Sequence, residues 1–274
     1  MNIKNNLLDN ARVKFSESPN HSGKFGSNLP DTIIIHYTAG ATAESAIRTL
    51  SNPEVKASAH VVVARDGTIT QLVPFDTIAW HAGKSAYGDR VGFNKYAIGI
   101  EIVNAGRLVK SGNLYQAWFG KTYTEDEVIQ AIHRNETIST YWQRYTEDQI
   151  TAVYDLCSDL ILQYHIKEIL GHEEISPGRK IDPGPAFPLD KMRDKLLHAD
   201  RSDQEDQDTS TYKNPGIVTA SKLNMRTGPS TQSPTLSPQL SQNTVVDILD
   251  EQSGWYQVDV IIRGWVSKDF IRKG

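Results

Sequence analysis

From Asp200 to Asp208 the chain carries five acidic residues, one arginine and no apolar residue. Such a stretch cannot bury surface and its charges repel one another, so no single hydrophobic core can run through it. The 274 residues must therefore fold as two bodies. The expected layout is a domain over 1–198, an acidic flexible linker over 199–214 and a small domain over 215–274. The first part is long enough for a core of its own.

Composition narrows the class. The net charge is −4 and no extended basic stretch is present, which argues against nucleic acid as a partner. No window approaches the run of about 18 apolar residues that a membrane helix needs, so membrane insertion is not expected. A single cysteine, Cys157, excludes an internal disulfide framework and a multi-thiolate zinc site. It falls within an apolar helical stripe, where a buried small hydrophobe is the simplest reading.

The first part alternates strand and helix patterns. "TIIIHYTA" (32–39) is a near-continuous apolar run rich in β-branched residues, as in a strand covered on both faces. "ATAESAIRTLS" has helix formers, with Thr42 as cap. "ASAHVVVARDGTITQLV" (57–73) reads as a hairpin turning at Asp66-Gly67, and "YAIGIEIVN" (96–104) as another apolar strand. Thr146 and Gln149 form a capping box, followed at helical spacing by Ile150, Val153, Tyr154, Cys157, Leu160, Ile161 and Tyr164. "EIL" before Gly171 fits a short strand and "LDKMRDKLLHA" a last amphipathic helix. Together these predict an α/β domain with a central mixed β-sheet flanked by helices. Residues 107–145 lack a clean period and read as an insertion with some helix around 125 to 138.

The chemistry concentrates at a few positions. His36 falls at the C-terminal end of a strand, where α/β sheets place ligands. A lone histidine there is more often a hydrogen-bonded structural residue than a metal ligand. His172 and Asp182 lie in "GHEEISPGRKIDPGPAF" (171–187), where Pro and Gly restrict the backbone around the acid. Together His36, His172 and Asp182 make a two-His, one-carboxylate set, which leaves a fourth tetrahedral position on zinc for water. Spacing alone does not select these three, because His36 lies far upstream.

Four stretches, "TIIIHYTAG", "SAHVVVARDGTITQLVPFDTIAWHAG", "AIGIEIVN" and "LGHEEISPGRKIDPGPAF", together resemble the zinc-dependent N-acetylmuramoyl-L-alanine amidases of the type 2 family. That group is related to T7 lysozyme and the peptidoglycan recognition proteins. The resemblance implies Zn2+ bound by His36, His172 and Asp182, with Glu101 and Lys180 as catalytic residues. A carboxylate beside the metal can move the proton of a bound water, and an ammonium can stabilise an oxyanion. Without the motif, Glu101 would be a polar residue on an alternating strand and Lys180 a surface lysine. Where the phage and animal branches carry a tyrosine, this chain has Ala59, and their frequent cysteine ligand is here Asp182. Both features place it with the bacterial, Glu-dependent branch. His60 reads as structural. His81 and Trp80, in "AWHAG", are candidates for the substrate cleft, and Trp118 and Phe119 could pack over a glycan or peptide or belong to a core.

"LNMRTGPS", "SGWYQVDV" and "GWVSKDFI" resemble a bacterial SH3-like (SH3b) domain, a small β-barrel. Such modules commonly bind cell-wall peptides, although Trp255 and Trp265 could equally be core residues. The implied activity is hydrolysis of the amide between N-acetylmuramic acid and L-alanine in peptidoglycan. The competing readings are a wall-binding protein that does not cleave and an amidase acting within the stem peptide. "MNIKNNLLDNARVKF" lacks the apolar centre of a secretory signal. The expectation is a soluble product made in the cytoplasm that reaches the wall or periplasm through lysis or a non-Sec route. Secretion machinery and an immunity protein are the further partners that such a route would involve.

Overall fold

The Thr32–Tyr37 strand (TIIIHY) is the spine of the first domain. Its isoleucines face both ways, and all three are fully buried. Strands on either side run parallel to it: Glu168–Gly171 on one edge and Ala97–Ile102 on the other. Val61–Val63 extends the parallel set, and Ile69–Gln71 then runs antiparallel to Val61–Val63 after the Asp66-Gly67 turn. Val13–Phe15 closes the far edge of this six-stranded mixed sheet. These features come from a computed structural model, which describes residues 2–10, 13–197, 214–218, 220, 222–241 and 244–260. By contact the chain forms two compact units, Met1–Leu197 and His198–Gly274.

Alternation along each strand sorts the side chains onto two faces. Ile33, Ile35, Ile98, Ile100 and Ile102 lie in one core with Val153, Leu156, Cys157 and Leu160. Those four come from the helix Glu147–Tyr164, whose first turn is fixed by the Thr146–Gln149 capping box. Full burial of each such aliphatic side chain contributes about 1.5–3 kcal/mol. Cys157 is part of this packing, and burial pushes its thiol well above the usual range. The last helix, Leu189–Leu197, adds Leu189 and Met192 to the same core. On the opposite face Ile34, Ala97 and Leu170 form a smaller cluster with Ala82 and Phe93. His36, Gly99 and Glu101 alternate onto that second face. The Ala43–Leu50 helix starts at Thr42, whose side chain accepts from the Ser45 N–H.

Residues 107–143 differ from the expected partial helix. They form a five-stranded antiparallel sheet in the order Thr122–Tyr123, Leu114–Gln116, Arg107–Ser111, Ser139–Gln143, Val128–Ile132. The only helical piece there is the 3-10 turn Glu125–Glu127, closed by a capping box from Thr124 to Glu127. The alternating VIQAI and STYWQ segments pair as a hairpin instead of continuing that turn. Long-range pairing therefore overrides the local helical signal.

In the second unit Pro215–Ile217, Val245–Gln252 and Trp255–Asp259 form an antiparallel sheet, and Lys222–Arg226 pairs with Thr235–Ser241. Val218, Leu240 and Val246 make a small core for these strands. Trp255 is half-buried at the turn opposite Gln252. The segment containing Trp265, the acidic stretch 200–208 and all of the expected linker but Asn214 lie outside the described residues. Among the described residues no helix is long and apolar enough to cross a membrane.

Candidate metal centre

Strand register brings three distant residues into one row. Glu101 is the parallel partner of His36, and Gly171 the partner of Ile35. His172, the next residue, therefore reaches the level of His36 from the other side. The chain then makes a single helical turn, His172–Ile175, and returns through the Pro/Gly loop that carries Asp182. The Asp182–Pro183 peptide in that loop is cis. His36, His172 and Asp182 are all buried. One ligand atom from each lies within 4.8 Å of the others. The closest approaches are 2.9 Å between the two Nδ1 atoms and 3.1 and 3.0 Å from them to Asp182 Oδ2.

The hydrogen-bond partners assign the tautomers. His81 Nε2 faces the Ala97 carbonyl at 3.0 Å, so it carries the proton, and His81 Nδ1 is left as an acceptor. His36 Nε2 lies 2.9 Å from that Nδ1 and must donate to it. In the same way His172 Nε2 donates to the Ala82 carbonyl at 3.1 Å. With one ring proton each, placed on Nε2, both rings aim an Nδ1 lone pair at Asp182 Oδ2, which leaves no proton among the three atoms. Three electron-rich groups this close repel one another unless a cation lies between them. Two imidazoles and a carboxylate are a suitable set for zinc, and second-shell hydrogen bonds of this kind orient such ligands.

Electrostatics agree with this assignment. Burial, reinforced by neighbouring His172, brings the His36 pKa down to about 4, so the ring is neutral near pH 7. Glu101 goes the other way. Burial first, and the charge of Asp182 second, push its pKa up to about 8, while Lys180 pulls it down. Its Oε2 atom is out of contact with solvent and has no hydrogen-bond partner among the described residues. Lys180 lies half-buried on the same cleft, which has a volume of about 380 Å³ and also exposes Glu101, His172 and Asp182.

Gly99 shows how closely the second face is packed. A Cβ at that position would lie 2.4 Å from Cγ of His81, so the ring supporting His36 requires a glycine below it. His60 occupies the neighbouring strand start, accepting from Gly99 N–H at 2.9 Å and donating to Thr77 O at 2.9 Å. Both of its nitrogens are thus engaged within the fold. Both nitrogens of His81 are engaged as well, so this ring supports His36 and has no hydrogen bond left for a substrate. Trp80 borders the cleft, its indole N–H donating to Ser22 Oγ at 2.6 Å.

One supporting residue escaped sequence reasoning. Glu173 is buried beside His172, and its backbone N–H donates to the Asp182 carbonyl at 2.8 Å. Its carboxylate accepts from Gly184 N–H at 3.1 Å, His133 Nε2 at 2.7 Å and Arg134 Nε at 2.8 Å. Gly184 has a φ of +72° and lies against Trp142, where a Cβ would come within 2.7 Å of the ring. The 107–145 region thus holds the Asp182 loop through Glu173 and Trp142. The only sequence signal was a second acid in "GHEE", because His133 and Arg134 sit in an aperiodic stretch. Arg179 also ties this loop down, donating to the Ala82 and Lys84 carbonyls at 3.0 and 2.7 Å.

Comparison with known proteins places this geometry in a family. A bacterial SH3 domain model matches residues 221–272. N-acetylmuramoyl-L-alanine amidase AmiD of Escherichia coli K12 is 33% identical over 176 residues, covering 61% of this chain and 53% of that protein. The 1,6-anhydro-N-acetylmuramyl-L-alanine amidase AmpD of the same strain is 34% identical over 139 residues, covering 51% of this chain and 58% of that protein. The chain therefore spans little more than half the length of these relatives. A crystal structure of a selenomethionine derivative of AmpD shares the fold, with a TM-score of 0.51 at 24% identity, covering 73% of this chain and 98% of that one. The N-acetylmuramoyl-L-alanine amidase family model itself matches residues 26–185, more than half of the 274 residues, and the chain belongs to that family.

Proposed function

We propose that this protein hydrolyses the amide between the lactyl group of N-acetylmuramic acid and L-alanine in peptidoglycan, with zinc as its metal. The convergence of three unprotonated donor atoms from His36, His172 and Asp182 carries this reading. Zinc held by His36, His172 and Asp182 would supply Lewis-acid chemistry, acidifying a water and polarising a carbonyl. Glu101, one strand over from His36, takes a proton from the attacking water and delivers it to the departing alanine nitrogen. Its buried, unpartnered Oε2 suits a group that takes up a proton in one step and releases it in the next, and the charge of a bound cation would free it of the proton it keeps in metal-free protein. Lys180 offers its ammonium to the oxyanion that forms at the carbonyl. His81 and Glu173 hold His36 and the Asp182 loop, and Trp80 borders the substrate cleft.

The second unit serves as a wall anchor. Tethering to an insoluble polymer raises the effective concentration of the first unit at its substrate. The test is digestion of purified sacculi followed by mass spectrometry. Released peptides should begin with free L-alanine and the glycan should stay intact. Peptides cut between stem residues would show a different amide specificity, and binding without release would show a recognition protein.

A further inference from the structure

Trp118 is 77% exposed, yet its ring is held. Its indole N–H donates to the Ala39 carbonyl at 2.8 Å, and the ring meets Phe119 edge to face at 5.6 Å. Phe119 packs in turn on the core of the 107–145 sheet. The Trp118 side chain stands on a turn closed by Ala117 N–H to Lys121 O and Gly120 N–H to Ala117 O. Ala39 lines the cleft of the metal centre. An exposed indole would ordinarily move freely, but here its edge is fixed and its face is left open.

Its place follows from the Ala39 contact. Thr38 N–H donates to Ile102 O just past the end of the His36 strand, and the chain then bends at Ala39, whose φ is +50°. Ala39 lies three residues beyond His36, on the lining of the cleft that also exposes Glu101, His172 and Asp182. The His81 ring lies over Gly99, and Trp80, the preceding residue, lines the same cleft as Ala39. The cleft of the metal centre therefore has one aromatic residue, Trp80, on its lining and a second, Trp118, hydrogen-bonded to its Ala39 wall.

We propose that Trp118 is a carbohydrate subsite that stacks on a pyranose ring of the glycan chain next to the reacting muramoyl group. This rests on the amidase reading. The π face of an indole attracts the C–H groups on the flat side of a sugar. Stem peptides are built of alanines and charged residues and present nothing comparable to stack. The hydrogen-bonding edge is already used on Ala39, so the face is what remains to recognise a ligand. Fixing the ring before binding also removes part of the ordering cost.

The full chain is titrated calorimetrically with the tetramer of N-acetylglucosamine, which contains no scissile amide, and separately with a free stem tripeptide. Trp118→Ala should weaken tetramer binding at least tenfold, while Trp118→Phe, which keeps a ring, should stay within about threefold. Tripeptide affinity should not change in either variant, and melting curves matching wild type confirm intact folding. A contribution from the second unit is common to all three proteins and cancels. No tetramer binding by wild type, equal binding by Trp118→Ala, or a loss confined to the tripeptide would each overturn the subsite. Because no cleavage is involved, an intact tetramer effect with no peptide beginning in L-alanine released from sacculi would sink the amidase reading alone.

Discussion

The two faces of the Ala97–Ile102 strand are made of consecutive residues and obey different rules. Ile98, Ile100 and Ile102 face the long helix and are buried entirely among carbon atoms. Gly99 and Glu101 face the histidines, where almost every atom is committed to a hydrogen bond or a close ring contact. The exception is Glu101 Oε2, a buried oxygen without a partner among the described residues. An apolar face tolerates small losses because its stability is spread over many weak contacts. The histidine face has discrete links, each one holding the next in place.

That contrast can be tested by changing each face a little. Glu101→Gln keeps the shape and removes the base, so kcat should fall about 10²- to 10⁴-fold with metal content unchanged. Near wild-type turnover would remove Glu101 from the mechanism. Gly99→Ala adds one methyl group where His81 lies, displacing the ring that orients His36. Metal affinity should drop about 10- to 100-fold, as for lost outer-shell support. Unaltered affinity, measured by competition with a chelator, would mean His81 does not position the ligand.

A pH effect should follow on the same face. In metal-free protein Glu101 keeps its proton up to about 8, whereas an unperturbed glutamate loses it near 4.5. The folded state then binds more protons between those values, so stability should fall as pH rises through that window. The buried histidines contribute with the opposite sign below about 6.5 and are common to both proteins, so the melting-temperature advantage of metal-free wild type over Glu101→Gln should shrink as pH rises from about 4.5 to about 8. Ile100→Val, which removes one methyl group from the opposite face, should cost only about 0.5–1.5 kcal/mol in denaturant unfolding. It should leave kcat and metal affinity as they were. A large catalytic defect there would show that the two faces are not independent.

What the sequence revealed follows the same division. The apolar strands and the capped helix were legible because 2-residue and 3.6-residue periods mark burial directly. The His36, Glu101 and Asp182 segments stood out only as a combination of motifs, since no local pattern links residues so far apart. The hairpins of 107–143 were not legible, because VIQAI and STYWQ are short and their pairing is tertiary. Glu173 was missed for a related reason: its partners His133, Arg134 and Gly184 come together only in the folded chain. His81 was noted for the cleft, but only the folded structure shows both of its nitrogens engaged within the protein.

Three lone pairs converging at His36, His172 and Asp182 require a cation between them. Metal content of the purified chain, measured by mass spectrometry alongside amidase activity during chelation and zinc titration, tests it most directly. One equivalent of bound zinc is expected, with activity lost on chelation and restored in proportion to metal returned. His36→Ala and Asp182→Ala should bind no stoichiometric metal. Full activity in a metal-free chain, or undiminished metal binding in both variants, would contradict the account.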